Sequence, residues 1–285
     1  MGPILVILYD IADGISRTLN SAQESVEELL FEPVIRLGVT GLSRSGKTVF
    51  ITSLVANLLN RGRMPQFQAA ASGRIQTAYL QPQPDDTIAR FDYENHLSAL
   101  TGQTPHWPEG TQRVSELRLS LRVQPKGLLS GLQGPRTVHL DIVDYPGEWL
   151  LDLSLLEKDF ATWSAEVLAR LPNRPKSEAF LTALGASDPS NSFDEPDAQH
   201  LAAMFTEHLV AAREAGFSDC TPGRFLLPGD LEGSPVLTFA PLRPAEISKR
   251  KSLWREFERR FESYKRNVVR PFSATIFPKS TVKSC

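Results

Sequence analysis

Cysteine is nearly absent from this chain: Cys220 and Cys285 are the only two in 285 residues, and neither has a Cys or His companion at metal-ligand spacing. That argues against both a disulfide framework and a structural zinc site, and it is the usage of a reducing compartment such as the cytoplasm. A surplus of either charge is also missing. The 31 Lys and Arg residues against 33 Asp and Glu leave a formal net charge of −2, so nothing global points to nucleic acid. Long apolar runs are lacking too. Pro3-Ile4-Leu5-Val6-Ile7-Leu8-Tyr9 falls far short of the roughly 20 residues that span a bilayer, and it has no basic flank of a signal peptide. The apolar positions Ile15, Leu19, Ala22, Val26, Leu29 and Leu30 that follow make a helical stripe, so residues 1–33 are expected to be an amphipathic helical segment. Its polar side carries Glu24, Glu27 and Glu28 against Arg17, which opposes anionic lipid. The expectation is a helix packed on protein, not on membrane.

What is present is sharper. Gly41-Leu42-Ser43-Arg44-Ser45-Gly46-Lys47-Thr48 spells G-x-x-x-x-G-K-[ST]. Before it, Val34–Thr40 is apolar and partly β-branched and reads as a strand. After it, Val49–Leu59 has neither Pro nor Gly and reads as a helix. Strand, glycine turn and helix start together form an anion nest, in which loop N–H groups face phosphate oxygens. In that pattern Gly41, Ser43, Arg44, Ser45, Gly46, Lys47, Thr48 and Val49 are the nucleotide contacts. Lys47 reaches the β and γ phosphates, and the Thr48 hydroxyl ligates Mg²⁺. Arg44 either adds charge near the transferring phosphoryl group or points to solvent.

A second motif lies about a hundred residues on. Val138–Val143 alternates as a strand and ends in Asp144-Tyr145-Pro146-Gly147. A strand-end Asp at this distance is the expected support for Mg²⁺, and Gly147 can offer its N–H to a γ-phosphate. Glu148 follows, where a proton acceptor for water would stand. It reads equally as a charge favouring the helix that begins near Trp149. Thr111 and Ser115 stand where a switch hydroxyl would sit.

Between the motifs, Gly62 and Pro65 stop the first helix, and Pro82–Asp86 reads as a long surface connection. Tyr93–Leu100 resumes a helical pattern, which Pro105–Gly110 breaks. Val114–Val123 alternates apolar and polar, predicting a half-buried strand at or near a sheet edge, antiparallel to Val138–Val143. Residues 150–218 pattern as helices. Phe225–Asp230 and Pro235–Phe239 read as short strands or extended loops. From Ile247 to Arg266 a basic helix carries Leu253, Trp254, Phe257, Phe261 and Tyr264 on one face. Its Lys249-Arg250-Lys251 and Arg259-Arg260 offer lid arginines, but the interleaved Glu256, Glu258 and Glu262 favour a solvated charged face.

The two motifs, with their intervening residues, resemble the YcjX-like P-loop NTPases, a bacterial group associated with stress responses. The likeness is carried by Leu37–Thr48 and Ile142–Leu153, with Pro222-Gly223-Arg224-Phe225 and Leu227-Pro228-Gly229-Asp230 as a third block, and it runs from Leu37 to Pro271. The resemblance implies an α/β fold: a P-loop, GTPase-like core over 34–149, a large, mostly helical insertion over 150–272, and cytoplasmic residence. It also implies GTP and GDP more than ATP and ADP, with Mg²⁺ as cofactor. It departs from the family in lacking any N-K-x-D or T-K-x-D base-recognition element, and 273–285 carries no likeness. The expectation is therefore a core whose carboxy-terminal part is missing. A P-loop kinase, or a non-catalytic interaction module, are the alternatives. No protein partner or oligomeric state follows from the residues.

Overall fold

A computed structural model describes residues 32–60, 68–125, 134–245 and 250–276. The expected helix over most of 1–33, the helix stop at Gly62 and Pro65, Lys249 and most of the tail lie outside the described residues. The chain divides into two compact units, 1–146 and 147–285.

The first unit is a mixed sheet with helices on it. Strand β1 (Val34–Gly41) is followed by helix α1 (Lys47–Leu59) and a short helix α2 (Gln68–Ala71). Strands β2 (Ile75–Gln81) and β3 (Ala89–Arg90), helix α3 (Tyr93–Thr101) and strands β4 (Ser115–Val123) and β5 (Arg136–Pro146) complete it. The sheet order is β1-β5-β4-β2, with β3 beside β4. β1 and β5 run parallel, whereas β4 is antiparallel to both β5 and β2. Period-2 alternation sends Leu37 and Val39 of β1, Leu117, Leu119 and Leu121 of β4, and Val138, Leu140 and Ile142 of β5 into one core. From α1, Ile51, Leu54, Val55 and Leu58 join that core, each contributing about 2 kcal/mol of apolar burial.

The opposite face of the sheet is polar and ordered by register. Arg36 stands across from Asp141, and Asp141 across from Arg118. Arg118 grips Asp141 with two hydrogen bonds of 2.6 and 2.7 Å, and Arg36 lies 3.7 Å from buried Glu116. Ser120 and Glu32 flank His139 on either ring nitrogen. β4 stands next to the edge strand β2, as expected of a strand near a sheet edge. Its Arg118 meets the opposite charge of Asp141 across the ladder. β2 was not foreseen, and it ends at Gln81, just before the connection expected over Pro82–Asp86.

The second unit is helical. Its elements are α4 (Gly147–Leu151), α5 (Phe160–Arg170), α6 (Ser177–Ala186), α7 (Glu195–Glu214), α8 (Gly223–Leu226), α9 (Leu253–Tyr264) and α10 (Arg270–Ile276). Side-chain caps start three of them: Asp159 accepts from Thr162 N–H, Asp194 from Asp197 N–H, and Ser252 from Arg255 N–H. Phe160, Trp163, Phe205, Phe239, Phe257 and Phe261 form an aromatic core with no counterpart among the described residues of the first unit. The 225–239 segment is a helical turn followed by 3-10 turns, not strands. Its short apolar runs are punctuated by Pro and Gly, a pattern that does not separate the two.

The third sequence block is explained inside this unit. A Cβ on Gly223 would lie 2.0 Å from the Glu148 carbonyl oxygen, so only glycine permits that approach. The Gly223 N–H donates to Asp152 at 2.7 Å, and the Trp149 indole donates to the Leu227 carbonyl at 2.9 Å. The Arg224 guanidinium lies 3.2 Å from the Trp149 ring centre. Among the described residues, no helix is long and apolar enough to cross a membrane.

Candidate functional site

β1 delivers the chain at Gly41 and α1 takes it up at Lys47, so Leu42–Gly46 must turn within a narrow space. Glycine makes the turn possible. A Cβ on Gly41 would sit 2.4 Å from Ser45 Oγ and 3.3 Å from Lys47 Cγ. Gly46 adopts φ +87° and stands at the N-cap of α1, a left-handed conformation that costs glycine nothing. Arg44 holds φ +63°, uncommon for a residue with a side chain. A Ser45 N–H to Leu42 carbonyl bond of 3.0 Å closes the turn.

The start of α1 carries no side-chain cap and no acidic residue in its first turn. Its opening N–H groups therefore present the positive end of the helix to the loop. Lys47 is only 7% exposed, and its Nζ donates to the Gly41 carbonyl at 2.6 Å. Thr48 is buried as well, with its carbonyl accepting from the Thr52 hydroxyl at 2.7 Å.

Parallel pairing of β1 with β5 brings the second motif to the same end of the sheet: Val39 is in register with Asp144, and Gly41 with Pro146. Asp144 is 2% exposed. Its Oδ2 accepts from the Thr111 hydroxyl at 2.5 Å, while its Oδ1 is buried with no hydrogen-bond partner among the described residues. Burial holds this carboxyl above the usual carboxylate range, and the Thr111 bond and the Lys47 charge pull the other way. A buried acceptor left half satisfied costs about 1–3 kcal/mol. A divalent cation offsets that cost, so Asp144 with the Thr48 hydroxyl fits a hard, oxygen-seeking ion. Of the two expected switch hydroxyls, Thr111 is the one bonded to Asp144. Ser115 lies opposite Asp144 in the β4–β5 register.

A cavity of about 620 Å³ opens on the loop, lined by 43–49, Trp107, Pro108, Gly110 and Thr111. Sequence reasoning missed Trp107 and took its surroundings only as a helix break. A large aromatic ring in a Pro- and Gly-rich polar loop was the available signal. Gly147 and Glu148 belong to the second unit, where they open α4 and are buried. Of the arginines offered as a lid, Arg259 and Arg260 are engaged within that unit. Arg260 pairs with Glu195 and Glu256, and Arg259 with Glu256.

Residues 35–281 match the family profile described as "YcjX-like family, DUF463". A curated relative named Ras-like GTPase YcjX from Shewanella oneidensis is 38% identical over 262 residues, covering 84% of this chain and 54% of that protein. Another of the same name from Escherichia coli K12 is 42% identical over 213 residues, covering 73% of this chain and 46% of that protein. The chain thus spans about half the length of the curated relatives it matches.

Proposed function

The chain belongs to the YcjX-like family, and from that premise we propose that it binds a nucleoside triphosphate with Mg²⁺ and supports its hydrolysis, GTP ahead of ATP. The observation that carries this reading is the parallel β1–β5 register, which sets Gly41 and Asp144 at neighbouring strand ends. Ligands in α/β sheets bind outside the carboxyl ends of parallel strands. In this reading 34–149 is a P-loop core, 150–272 is its mostly helical insertion, and the two-cysteine chain works in the reducing cytoplasm.

Each residue then has a task. The N–H groups of 43–49 hold the phosphates, helped by the positive end of α1. Lys47 exchanges the Gly41 carbonyl for phosphate oxygens, a charge-assisted bond in place of a neutral one. Thr48 and Asp144 hold Mg²⁺, which when bound neutralises charge on the β and γ oxygens. Thr111, bonded to Asp144, is the switch hydroxyl. Gly147 offers its N–H to the γ-phosphate, and Glu148 accepts a proton from the attacking water.

Calorimetric titration with GDP and with ADP, each with Mg²⁺ and with EDTA, tests the proposal. Saturable binding that is strengthened by Mg²⁺ and preferential for GDP is expected. No binding of either nucleotide contradicts it.

A further inference from the structure

Trp107 is 77% exposed, the most exposed of the large apolar side chains, and it has no ring partner and no cation over its face among the described residues. The chain's other tryptophans, Trp149, Trp163 and Trp254, are all buried. An unpaired indole held in water needs a reason, and its position supplies one.

The loop that bears Trp107 is fixed on both sides. Just before it, the His106 N–H donates to the Ala99 carbonyl of α3 at 2.8 Å. Just after it, Thr111 bonds Asp144 at 2.5 Å. Gly110 runs beside the phosphate loop, close enough that a Cβ there would meet Ser43 Oγ at 3.8 Å. Trp107 and Pro108 therefore form one wall of the same cavity whose other wall is 43–49. At about 620 Å³ that cavity is in the range of small-molecule sites, roughly 300–1,000 Å³. Bare phosphates on the loop leave much of it unfilled.

We propose that Trp107 is the stacking platform for the purine base of the nucleotide whose phosphates lie on residues 43–49. The inference rests on the phosphate-loop reading above and assigns the other half of the ligand. A planar base has an apolar face and polar edges, and an indole covers that face without reading the edges. Stacking of this kind tolerates either purine, so Trp107 strengthens guanine and adenine nucleotides alike. Because the indole reads no base edge, affinity drawn from this platform discriminates GDP from ADP by less than about tenfold.

The test compares wild type, Trp107→Ala and Trp107→Phe in titrations with GDP, ADP and inorganic pyrophosphate, all with Mg²⁺. The expected result is a loss of about tenfold for GDP and for ADP in Trp107→Ala. Pyrophosphate affinity stays unchanged, and Trp107→Phe retains most of the nucleotide affinity. Unchanged GDP affinity in Trp107→Ala overturns the proposal and leaves Trp107 as a contact for another macromolecule. An equal loss for pyrophosphate also overturns it, because the ring then shapes the loop and does not hold the base. Failure of the phosphate-loop reading looks different: wild type binds neither GDP nor pyrophosphate, and the platform falls with it.

Discussion

Asp144 and Asp152 stand close in sequence and are equally buried, at 2% exposure each, yet the two units treat them differently. In the helical unit Asp152 is fully used. Its Oδ1 accepts the Gly223 N–H at 2.7 Å and its Oδ2 the Tyr264 hydroxyl at 2.5 Å. In the sheet unit Asp144 fills Oδ2 with Thr111 and leaves Oδ1 without a partner among the described residues. A carboxyl whose acceptors are all taken holds structure together. One with an open acceptor beside a lysine and a bare helix start is set up for a ligand. The contrast extends to the basic residues. Arg260 is locked between Glu195 and Glu256, whereas Lys47 leans only on a loop carbonyl. Family resemblance flagged sequence blocks in both units, but the half-filled carboxylate beside Lys47 and the start of α1 lies in the sheet unit.

The comparison breaks most visibly at Gly223. Replacing it with alanine drives a Cβ to 2.0 Å from a backbone oxygen that cannot swing away. Gly223→Ala is expected to destabilise the helical unit by about 3 kcal/mol, read as a lowered denaturation midpoint; an unchanged midpoint means the approach is not tight. Lys47→Ala tests the opposite kind of residue. It should weaken GDP binding about thirtyfold, close to 2 kcal/mol, while far-UV circular dichroism stays the same. A loss of helix, or intact binding, removes Lys47 from the ligand side of the comparison.

Asp152 gives the most specific effect. Burial pushes its carboxyl from an ordinary 3.8 up to about 7. The folded form thus holds its proton more tightly than the unfolded form. This contribution to stability is complete below pH 3.8 and is lost as pH rises through about 7. Asp152→Asn should flatten that decline, changing the slope of stability with pH by at most about 1.4 kcal/mol per unit. Parallel curves for variant and wild type, from urea melts between pH 4 and 8, rule out the titration.

The glycine loop, β1, α1 and the Asp144 strand end were legible because each is fixed by local chemistry: a close approach, a positive φ, or an alternating run that ends in a turn. β2 was not legible. Ile75–Gln81 lacks clean apolar–polar alternation and borders Gln/Pro-rich sequence, and it becomes a strand through its ladder with β4, a partner distant in the chain. The charges of β4 were visible, but their partners were not. Alternation tells which residues share a face, not whether that face meets water or, as at Arg118 and Asp141, an opposite charge. The proposed site was drawn in the sequence from Gly41–Thr48 and Asp144, and Trp107 was passed over, since a ring in a loop declares itself only through what stands across the cavity.

The most direct test of a metal-assisted phosphate site at the ends of β1 and β5 is GDP binding to Asp144→Asn, measured by calorimetry in Mg²⁺ and again in EDTA. The account predicts about a tenfold loss in Mg²⁺, near 1.4 kcal/mol, and little change in EDTA, because the carboxylate acts through the ion. Equal losses in both conditions, or no loss in either, would show Asp144 to be a structural strand end and contradict the assignment.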